Sequence, residues 1–471
     1  MLCSNLAASS KAFVVEETFR QMGGQHLIVC ADKEDAAYFY NDLESLLGER
    51  GMDYSKKQVL FYPTSYKRPY EPEKADNTYI LSRTEVLQRV STSERKTLIV
   101  SYPEALSEKV FTRKLLAKNT FKLKVGEKVN LDFLTDLLYD YEFENVDFVV
   151  EPGQFAIRGG LVDVFSFAND YPYRIEFFGD EVDSIRSFNI ADQLSIEQLK
   201  QIVLLPNMQE RAFIEEREAI LQYLPDTTTV WLTDMAFFAT QVDKEYDRAV
   251  EAFEKMQEQD EEVKALKPGQ LFSKSEELLD CLKKRCTVEF GVSSKLITDS
   301  LDCFVPRNDA ERQPNNCQLT TVQFHTKPQP IFSKNFNLLI DDIAAHKEEG
   351  YRVIVFSESS KQLSRIQANL NDINHNDELH RDFETETIAI HGGFIDEDLK
   401  VCCYTDHQIF ERYHRFHLRD NFSTKQAITL KDLYELKPGD YVTHIDHGIG
   451  RFDGLETIEN NGKPQEAIRL I

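Results

Sequence analysis

Short apolar runs alternate with amphipathic segments in the first part of the chain. HLIVC (26–30), QVLFYP (58–63) and TLIVSYP (97–103) are continuously apolar over about the length of one strand. Between the first two, residues 34–47 carry Ala, Tyr and Leu side chains at helical spacing. Because strands and helices follow one another in this order, the pattern predicts a mostly parallel sheet that is covered on both faces by helices.

The pattern changes near Lys118, where alternation with a period of two replaces the helical spacing. The segments EPGQFAIRGGLVDVFSF (151–167) and YRIEFFGDEVDSIRSF (173–188) alternate apolar and polar positions around glycine-containing turns. Such a pattern is typical of short antiparallel strands that are joined by tight turns. We therefore predict a compact, strand-rich insert over residues 118–204.

One strand of this insert carries an aromatic side chain where a polar one is expected. The Gly179-Asp180 pair has the composition of a two-residue hairpin loop, so residues 173–188 should form one hairpin. Side chains alternate faces along a strand, which puts Arg174, Glu176 and Phe178 together on the polar face. At a rise of about 3.3 Å per residue, the first and last of these are about 13 Å apart. Such a ring either packs beneath a neighbouring loop or belongs to a surface that binds another protein.

Beyond the insert the pattern becomes helical, then mixed, then strand-like again. Residues 235–266 are rich in charged side chains with Phe and Val at helical intervals, and residues 336–370 are typical of helix, strand and helix. Thr405 and Gln408 have the spacing of a capping box. The predicted fold class is a multidomain α/β protein. Its five segments are 1–117 (a parallel αβ domain), 118–204 (the insert), 205–330 (mainly helical), 331–425 (a small α/β domain) and 426–471 (a linker and the start of a small β-barrel).

Charge and cysteine usage restrict the function. The chain has 55 Lys and Arg against 80 Asp and Glu, which gives a formal net charge of −25. Such a surface repels phosphate backbones at long range, so no domain is predicted to be a dedicated nucleic-acid clamp, although local basic patches remain possible. The 8 cysteines show no C-x-x-C spacing, and Cys30, Cys402 and Cys403 lie inside apolar strand-like runs. We expect buried free thiols and a reducing compartment.

The sequence shows no sign of a membrane segment or a signal peptide. No apolar run approaches the ~20 residues that span a bilayer. The N-terminal residues MLCSNLAASSKAF do not place a basic region before an apolar one. We therefore expect a cytoplasmic protein.

A parallel αβ domain at the start of the chain invites a search for a phosphate-binding loop. The candidate is LAASSKAF (6–13), in which Lys11 precedes an amphipathic segment. A working loop needs glycines, so that backbone N–H groups can wrap the phosphates, and a Ser or Thr after the Lys to hold Mg²⁺. Here Ala8, Ser9 and Ser10 stand where glycines are needed, and Ala12 has no hydroxyl group. The loop is therefore predicted to be degenerate, and we expect no nucleotide hydrolysis by this chain.

No other motif predicts catalysis. His444, Asp446 and His447 in HIDHG are spaced like metal ligands, but they lie in a strand that enters a glycine turn, and a third ligand of the right type is not evident. A surface turn is the favoured interpretation. No G-x-S-x-G, H-E-x-x-H or Cys–His signature appears. We predict no catalytic residue, no metal site and no bound cofactor in this chain.

Three stretches, read in order, resemble the Mfd family of transcription-repair coupling factors. Residues 151–188 are similar to the insert that this family shares with the excision-repair protein UvrB, and DYVTHIDHGIGRFDGL (440–455) is similar to the start of the family's RNA-polymerase-interacting domain. The degenerate loop also resembles the family, whose first domain is like the UvrB nucleotide domain with its phosphate loop lost. The resemblance implies a degenerate RecA/UvrB-like domain with an insert, in which residues 205–330 complete the UvrB-like module. A small α/β spacer and the start of an SH3/Tudor-like barrel would follow.

The resemblance also implies a docking site. In UvrB and Mfd the insert binds UvrA, and the family's contact positions correspond to Arg158, Arg174 and Phe178 of this sequence. Glu176 and Asp180 are possible salt-bridge partners at the rim. We expect Arg158 on a strand neighbouring that of Arg174. The alternative interpretation is that Phe178 packs beneath a loop and that Arg174 pairs with Glu176 or with the nearby Asp183.

The family's ATP- and Mg²⁺-dependent DNA translocase would then lie beyond this chain, which we interpret as a fragment cut within its last domain. The implied function is the non-catalytic recruitment of UvrA to stalled RNA polymerase, with residues 426–471 forming part of the contact to the polymerase β subunit. Two alternatives remain open. The first is a UvrB-like DNA-dependent ATPase or helicase, and the second is a free-standing transcription regulator that binds RNA polymerase.

Overall fold

The computed structural model describes most of the chain, in two units. The described residues are 1–52, 54–66, 68–70, 77–92, 96–167, 169–190, 192–206, 217–259, 266–291, 320–373, 383–412, 441–444, 448–460 and 463–470. The chain separates into a first unit of residues 1–190 and 194–419 and a second unit of residues 191–193 and 420–471.

Regular elements cover most of the described residues. The strands are β1 (Leu2–Ser4), β2 (Gln25–Val29), β3 (Val59–Phe61), β4 (Thr97–Ser101), β5 (Val110–Phe111), β6 (Phe121–Lys124), β7 (Glu144–Asn145), β8 (Gln154–Arg158), β9 (Leu161–Val164), β10 (Tyr173–Phe178), β11 (Glu181–Phe188), β12 (Ser195–Gln198), β13 (Gln201–Leu204), β14 (Arg217–Glu218), β15 (Thr229–Leu232), β16 (Thr287–Gly291), β17 (Thr321–Gln323), β18 (Thr326–Pro328), β19 (Arg352–Phe356), β20 (Glu384–Glu386), β21 (Phe394–Asp396), β22 (Val401–Thr405), β23 (Tyr441–His444), β24 (Gly448–Asn460) and β25 (Lys463–Leu470). The α-helices are α1 (Ser10–Met22), α2 (Lys33–Leu46), α3 (Asn77–Thr92), α4 (Pro103–Ser107), α5 (Arg113–Lys118), α6 (Leu131–Asp140), α7 (Ile220–Tyr223), α8 (Met235–Gln259), α9 (Pro268–Leu271), α10 (Ser275–Leu282), α11 (Phe336–Glu348), α12 (Ser360–Ile373) and α13 (Asp406–Ile409).

The main sheet of the first unit contains seven described strands in the order β17-β1-β16-β15-β2-β4-β3. All neighbouring pairs are parallel. The three apolar runs predicted as strands are β2, β3 and β4, and their side chains are almost entirely buried because helices cover the sheet. The predicted α/β class with a parallel sheet is therefore confirmed. The strands β15 and β16 lie between β1 and β2, so the first and third sequence segments share this sheet.

The insert forms a separate sheet in the order β12-β11-β10-β9-β8-β7. Its pairs are antiparallel except for β7 with β8. Strands β6 and β13 pair with each other where the chain enters and leaves the insert. The predicted strand-rich insert and its β10–β11 hairpin are confirmed. Arg158 is one strand further away than predicted, because β9 lies between its strand β8 and strand β10.

A five-stranded sheet, in the order β18-β21-β22-β19-β20, is the centre of a small α/β domain. Helices α11 and α12 and strand β19 confirm the predicted helix, strand and helix. The predicted capping box is wrong: Thr405 precedes α13, but its hydroxyl donates to Gln408 Oε1 at 2.9 Å instead of accepting from the helix backbone. The buried Cys402 and Cys403 in β22, and Cys30 after β2, are free thiols as predicted.

In the second unit, β24 pairs antiparallel with both β23 and β25. Much of the linker and barrel predicted over 426–471 lies outside the described residues, including residues 426–440, Asp446 and His447. Of the helix predicted over 235–266, the structure describes α8 as far as Gln259, and residues 260–265 are likewise outside the described ranges.

Candidate docking surface on the insert

The β10–β11 hairpin presents an aromatic ring at its tip. Phe178 is the last residue of β10 and pairs with Glu181 across the turn. Gly179 has a φ of 65°, a left-handed conformation that a glycine adopts without steric cost. The Phe178 side chain is 84% exposed. The interpretation that this ring packs beneath a neighbouring loop is therefore wrong.

Strand register brings charged side chains of both signs together on the outer face of the insert sheet. Asp163 of β9 lies opposite Arg174 of β10, which in turn lies opposite Arg186 of β11. Glu176 is two residues further along β10, and Arg158 of β8 is opposite Leu161, two residues before Asp163. Because side chains two apart on a strand share a face, these groups form one patch. Phe178 ends the same strand β10, after a register shift with β11 between Glu176 and Phe177. We call this patch, together with Phe178, the outer face.

Asp163 is the centre of this patch. Arg174 donates from Nε to Asp163 Oδ1 at 2.7 Å and from Nη2 to Oδ2 at 2.8 Å. Arg158 donates from Nη2 to the same Oδ2. Asp163 is 1% exposed, so its buried charge is compensated by two guanidinium groups. The hydrogen bonds to Asp163 raise the pKa of Arg174, whose guanidinium also lies 4.3 Å from the centre of the Phe188 ring.

Glu176 is held by the neighbouring strand β11. It accepts from Arg186 Nη2 and from Ser184 Oγ, both at 2.6 Å. The Ser184 hydrogen bond and then the Arg186 charge lower the pKa of Glu176. The carboxylate that binds Arg174 through both oxygens is thus that of Asp163. The alternative interpretation, which proposed Glu176 or Asp183, is wrong. Glu176 is fixed to its own sheet on the side that faces Arg186.

The sequence-predicted residues differ in how far they reach solvent. The Arg158 side chain is 39% exposed and lies over the Phe148 ring, whereas the Arg174 side chain is 14% exposed. Asp180 is exposed in the hairpin turn, where its carbonyl accepts from Val129 N–H at 2.8 Å. The outer face therefore offers the Phe178 ring and the Arg158 guanidinium to solvent, whereas Arg174 is mostly buried.

Sequence reasoning missed Asp163 and Arg186. A signal for Asp163 exists in LVDV, where one acidic residue interrupts an otherwise apolar strand. A charge at such a position is buried and requires a paired cation. The sequence does not tell which cation pairs with Asp163. That choice depends on the order and register of the three strands β8, β9 and β10.

The candidate phosphate loop lies between β1 and α1. Ser9 precedes the first helical residue Ser10, and Ala12 is fully buried. The Lys11 ammonium lies 5.9 Å from the centre of the Phe290 ring. The segment predicted as a degenerate phosphate loop thus connects a strand to the N-terminus of a helix.

The backbone donors of this loop are used by the chain itself. Ala7 N–H donates to Thr326 Oγ1 at 2.7 Å. Ser9 N–H donates to the Gly392 carbonyl at 3.2 Å, and Gly392 N–H donates to Ser9 Oγ at 2.8 Å. Thr326 belongs to β18 and Gly392 to the segment before β21, so both come from the far end of the first unit. The Ala7 and Ser9 N–H groups therefore both donate to residues of the chain itself.

Two family profiles match the chain. Residues 121–209 match the UvrB interaction domain, a range that contains the whole outer face. Residues 436–471 match the CarD-like/TRCF RID domain. The order of the two domains is the one expected from the resemblance.

Comparison of the whole chain with curated proteins also finds transcription-repair coupling factors. The chain is 24% identical over 521 residues to the transcription-repair-coupling factor of Bacillus subtilis and 23% identical over 523 residues to that of Escherichia coli K12. Each alignment covers 100% of this chain. The chain matches the N-terminal region of transcription-repair coupling factors. It spans 43% of the length of these curated relatives.

The remaining sequence predictions concern membranes and metals. Within the described part of the chain, every helix is too short or too polar to cross a membrane. Among the same residues, no group of three or more His, Cys, Asp and Glu side chains is arranged to hold a metal ion. Of the HIDHG residues, His444 and Gly448 are described, and residues 445–447, which include Asp446 and His447, lie outside the described residues.

Proposed function

We propose that this chain is the recruiting part of a transcription-repair coupling factor, and that the outer face of its insert binds UvrA. One observation carries the proposal: the strand that ends in the 84% exposed Phe178 ring also carries Arg174, which a buried aspartate holds together with Arg158. Rigid aromatic and arginine side chains supply much of the binding energy in protein interfaces. The match of residues 121–209 to the UvrB interaction domain supports UvrA as the partner.

The geometry suits docking for two physical reasons. Covering the exposed Phe178 ring removes apolar surface from water, which contributes about 1.5–3 kcal/mol for a side chain of this size. The Asp163 carboxylate fixes both guanidinium groups before the partner arrives, so less side-chain entropy is lost on binding. The expected complement on UvrA is an apolar pocket that is flanked by carboxylates.

Titration of this chain with UvrA tests the proposal. Arg158→Ala and Phe178→Ala should each weaken binding by about tenfold or more. Phe133→Ala is the matched control, because Phe133 is a 54% exposed aromatic residue of the same insert that lies on helix α6 rather than on the outer face. Equal affinities for the wild-type chain and both outer-face variants would reject the site.

A second binding function is proposed for the C-terminal strands. The match of residues 436–471 to the CarD-like/TRCF RID domain supports contact with RNA polymerase, with the β subunit as the proposed partner. If the two functions are separable, a chain that ends at residue 435 should keep its UvrA affinity and lose binding to polymerase. Loss of both activities would argue that the two segments do not act independently.

We further propose that the chain itself does not hydrolyse ATP. The ATP- and Mg²⁺-dependent DNA translocase of the family is assigned to the part of the relatives that this chain does not cover. The hydrogen bonds that occupy the loop before α1 support this assignment. ATP turnover by the chain that is lost in Lys11→Ala would instead favour the UvrB-like ATPase alternative.

A further inference from the structure

A loop of the small α/β domain is hydrogen-bonded to the degenerate phosphate loop. The Gly392 carbonyl receives the Ser9 N–H, and the Gly392 N–H is bonded to Ser9 Oγ. The carbonyl of Gly392 thus stands at the N-terminal end of the helix α1, where a phosphate oxygen would be bound in an active relative.

A second set of contacts holds the same loop against helix α2. His391 N–H donates to Asp42 Oδ1 at 2.6 Å. The His391 ring stacks on Tyr38 with 3.7 Å between ring centroids. Asp42 is fully buried and also accepts the Ser9 hydroxyl, which links both helices to one loop.

An apolar contact completes the interface. Phe13 of α1 packs edge-on against Phe394 at 5.4 Å and against Phe356 at 6.4 Å. Phe356 and Phe394 belong to strands β19 and β21 of the small domain and are both about 5–6% exposed. Both polar and apolar contacts therefore connect the first helices to the small domain.

The local charge disfavours an anion at this position. Asp32, Asp35 and Asp42 lie close enough to act on the buried Cys30 thiol together with Lys11. Asp32 and Asp35 set two carboxylates against the one Lys11 ammonium, which disfavours a polyphosphate, whereas the neutral carbonyl of Gly392 satisfies the helix N-terminus without adding charge.

We propose that residues 391–393 are a built-in ligand of the degenerate phosphate loop, which closes it to nucleotides and joins the small α/β domain to the first sheet. The small domain is then a fixed part of the UvrB-like module and not a spacer. The proposal does not depend on UvrA binding, since it concerns a different surface of the first unit.

The steric fit of Gly392 provides a sharp test. A Cβ atom on Gly392 would lie 2.9 Å from the Cβ of Ala8, a distance that real Cβ atoms do not show. Ala8 has a φ of 49°, a conformation that glycine adopts readily, so Ala8→Gly removes the obstacle without straining the loop. The double variant Ala8→Gly/Gly392→Ala should therefore recover what Gly392→Ala loses.

Hydrogen exchange of the full chain directly measures the contact between residues 391–393 and the phosphate loop. In Gly392→Ala, peptides that cover residues 5–13 and 388–394 should exchange about tenfold faster or more, which corresponds to about 1.4 kcal/mol of opening free energy. The double variant should return close to the wild-type rate. Strands β4 and β22 serve as internal references, because their protection should not change if both domains stay folded. Gly269→Ala is the matched control, since its Cβ would meet only the Tyr246 hydroxyl at 3.5 Å.

Three results would overturn the proposal. The first is wild-type exchange in Gly392→Ala, and the second is a double variant that exchanges as fast as the single one. The third is protection of residues 5–13 by MgATP in the wild-type chain. If Gly392→Ala also loses protection in β4 or β22, Ser9→Ala replaces it, because that change removes only the Oγ that binds Gly392 N–H and Asp42. Unchanged exchange at 388–394 in Ser9→Ala would then contradict the proposal.

Discussion

Arg174 binds Asp163 with two parallel hydrogen bonds, from Nε to Oδ1 at 2.7 Å and from Nη2 to Oδ2 at 2.8 Å. The pair connects β10 to β9, and Asp163 extends it to Arg158 on β8. One buried carboxylate therefore sets the positions of two arginines, one on each of the two strands that flank its own. The outer face of the insert depends on this residue although a partner would scarcely touch it.

Replacing Asp163 with Ala should destabilise the insert by about 3 kcal/mol, because the mostly buried Arg174 guanidinium would lose the carboxylate that compensates its charge. Glu176→Ala is the matched control: the Glu176–Arg186 pair is about one-third exposed and should contribute less than about 1 kcal/mol. Denaturant-dependent hydrogen exchange of β9 and β10 measures both values. Equal losses for the two variants would contradict the central role of Asp163.

Gly160 is predicted to tolerate no side chain. A Cβ at this position would lie 2.9 Å from the backbone oxygen of Phe177, whose N–H donates to the Gly160 carbonyl at 2.8 Å. Gly160→Ala should therefore separate the Gly159-Gly160 turn from β10 and cost about 1–3 kcal/mol. Thermal unfolding of the insert, compared with Gly269→Ala, tests this expectation. A Gly160→Ala chain as stable as wild type would show that the turn yields without cost.

Phe178 is predicted to matter for binding and not for folding. Its ring is 84% exposed, so Phe178→Ala should change the free energy of unfolding by no more than about 0.5 kcal/mol. The same change should weaken UvrA binding by about 30-fold, equivalent to about 2 kcal/mol. Chemical denaturation and titration on one preparation compare the two effects. A large loss of stability would mean that the ring supports the hairpin itself.

The stability of the contact between α2 and the small domain should depend on pH through Asp42. Burial raises the pKa of this carboxyl from 3.8 to about 7, against the opposing effects of the Ser9 hydroxyl and the His391 N–H. A raised pKa means that the folded state holds its proton more tightly than the unfolded state. The contribution of Asp42 to stability is therefore complete below pH 4 and is lost as the pH rises towards 7, by at most about 4 kcal/mol.

Two histidines at the same contact change its stability with pH in the opposite direction. Burial lowers the pKa of His391 and of His407, so their contribution is lost as the pH falls below their unfolded value of 6.5. Comparison with Asp42→Asn isolates the carboxyl. The stability difference between wild type and this variant should shift in favour of wild type as the pH falls from about 7.5 to 5. A difference that does not vary with pH would show that Asp42 is ionised in the folded chain.

Local pattern was enough to predict part of this structure. The strands β2, β3 and β4 follow from continuous apolar runs, and the β10–β11 hairpin follows from its alternation around Gly179-Asp180. The exposure of Phe178 also agrees with its place on the polar face of β10. These features depend on neighbours within a few residues, and side-chain periodicity records such neighbours directly.

Contacts between distant segments were not predictable in the same way. Asp163 meets its arginines only because β9 lies between β8 and β10, an order that alternation does not encode. Asp42 and His391 are 349 residues apart, and nothing near either residue indicates the other. The spacer interpretation of residues 331–425 failed to anticipate this contact for the same reason. Strand order and domain contact are set by the packing of whole elements.

Hydroxyl-radical footprinting of Phe178 in the presence of UvrA tests the central claim most directly, because it reports on the ring itself without any substitution. The account predicts that saturating UvrA slows oxidation of the Phe178 ring about fivefold or more, as expected for a contact residue that becomes buried. The exposed ring of Phe133 should keep its rate. A Phe178 ring that reacts equally fast in free and UvrA-saturated chain would contradict docking through the outer face.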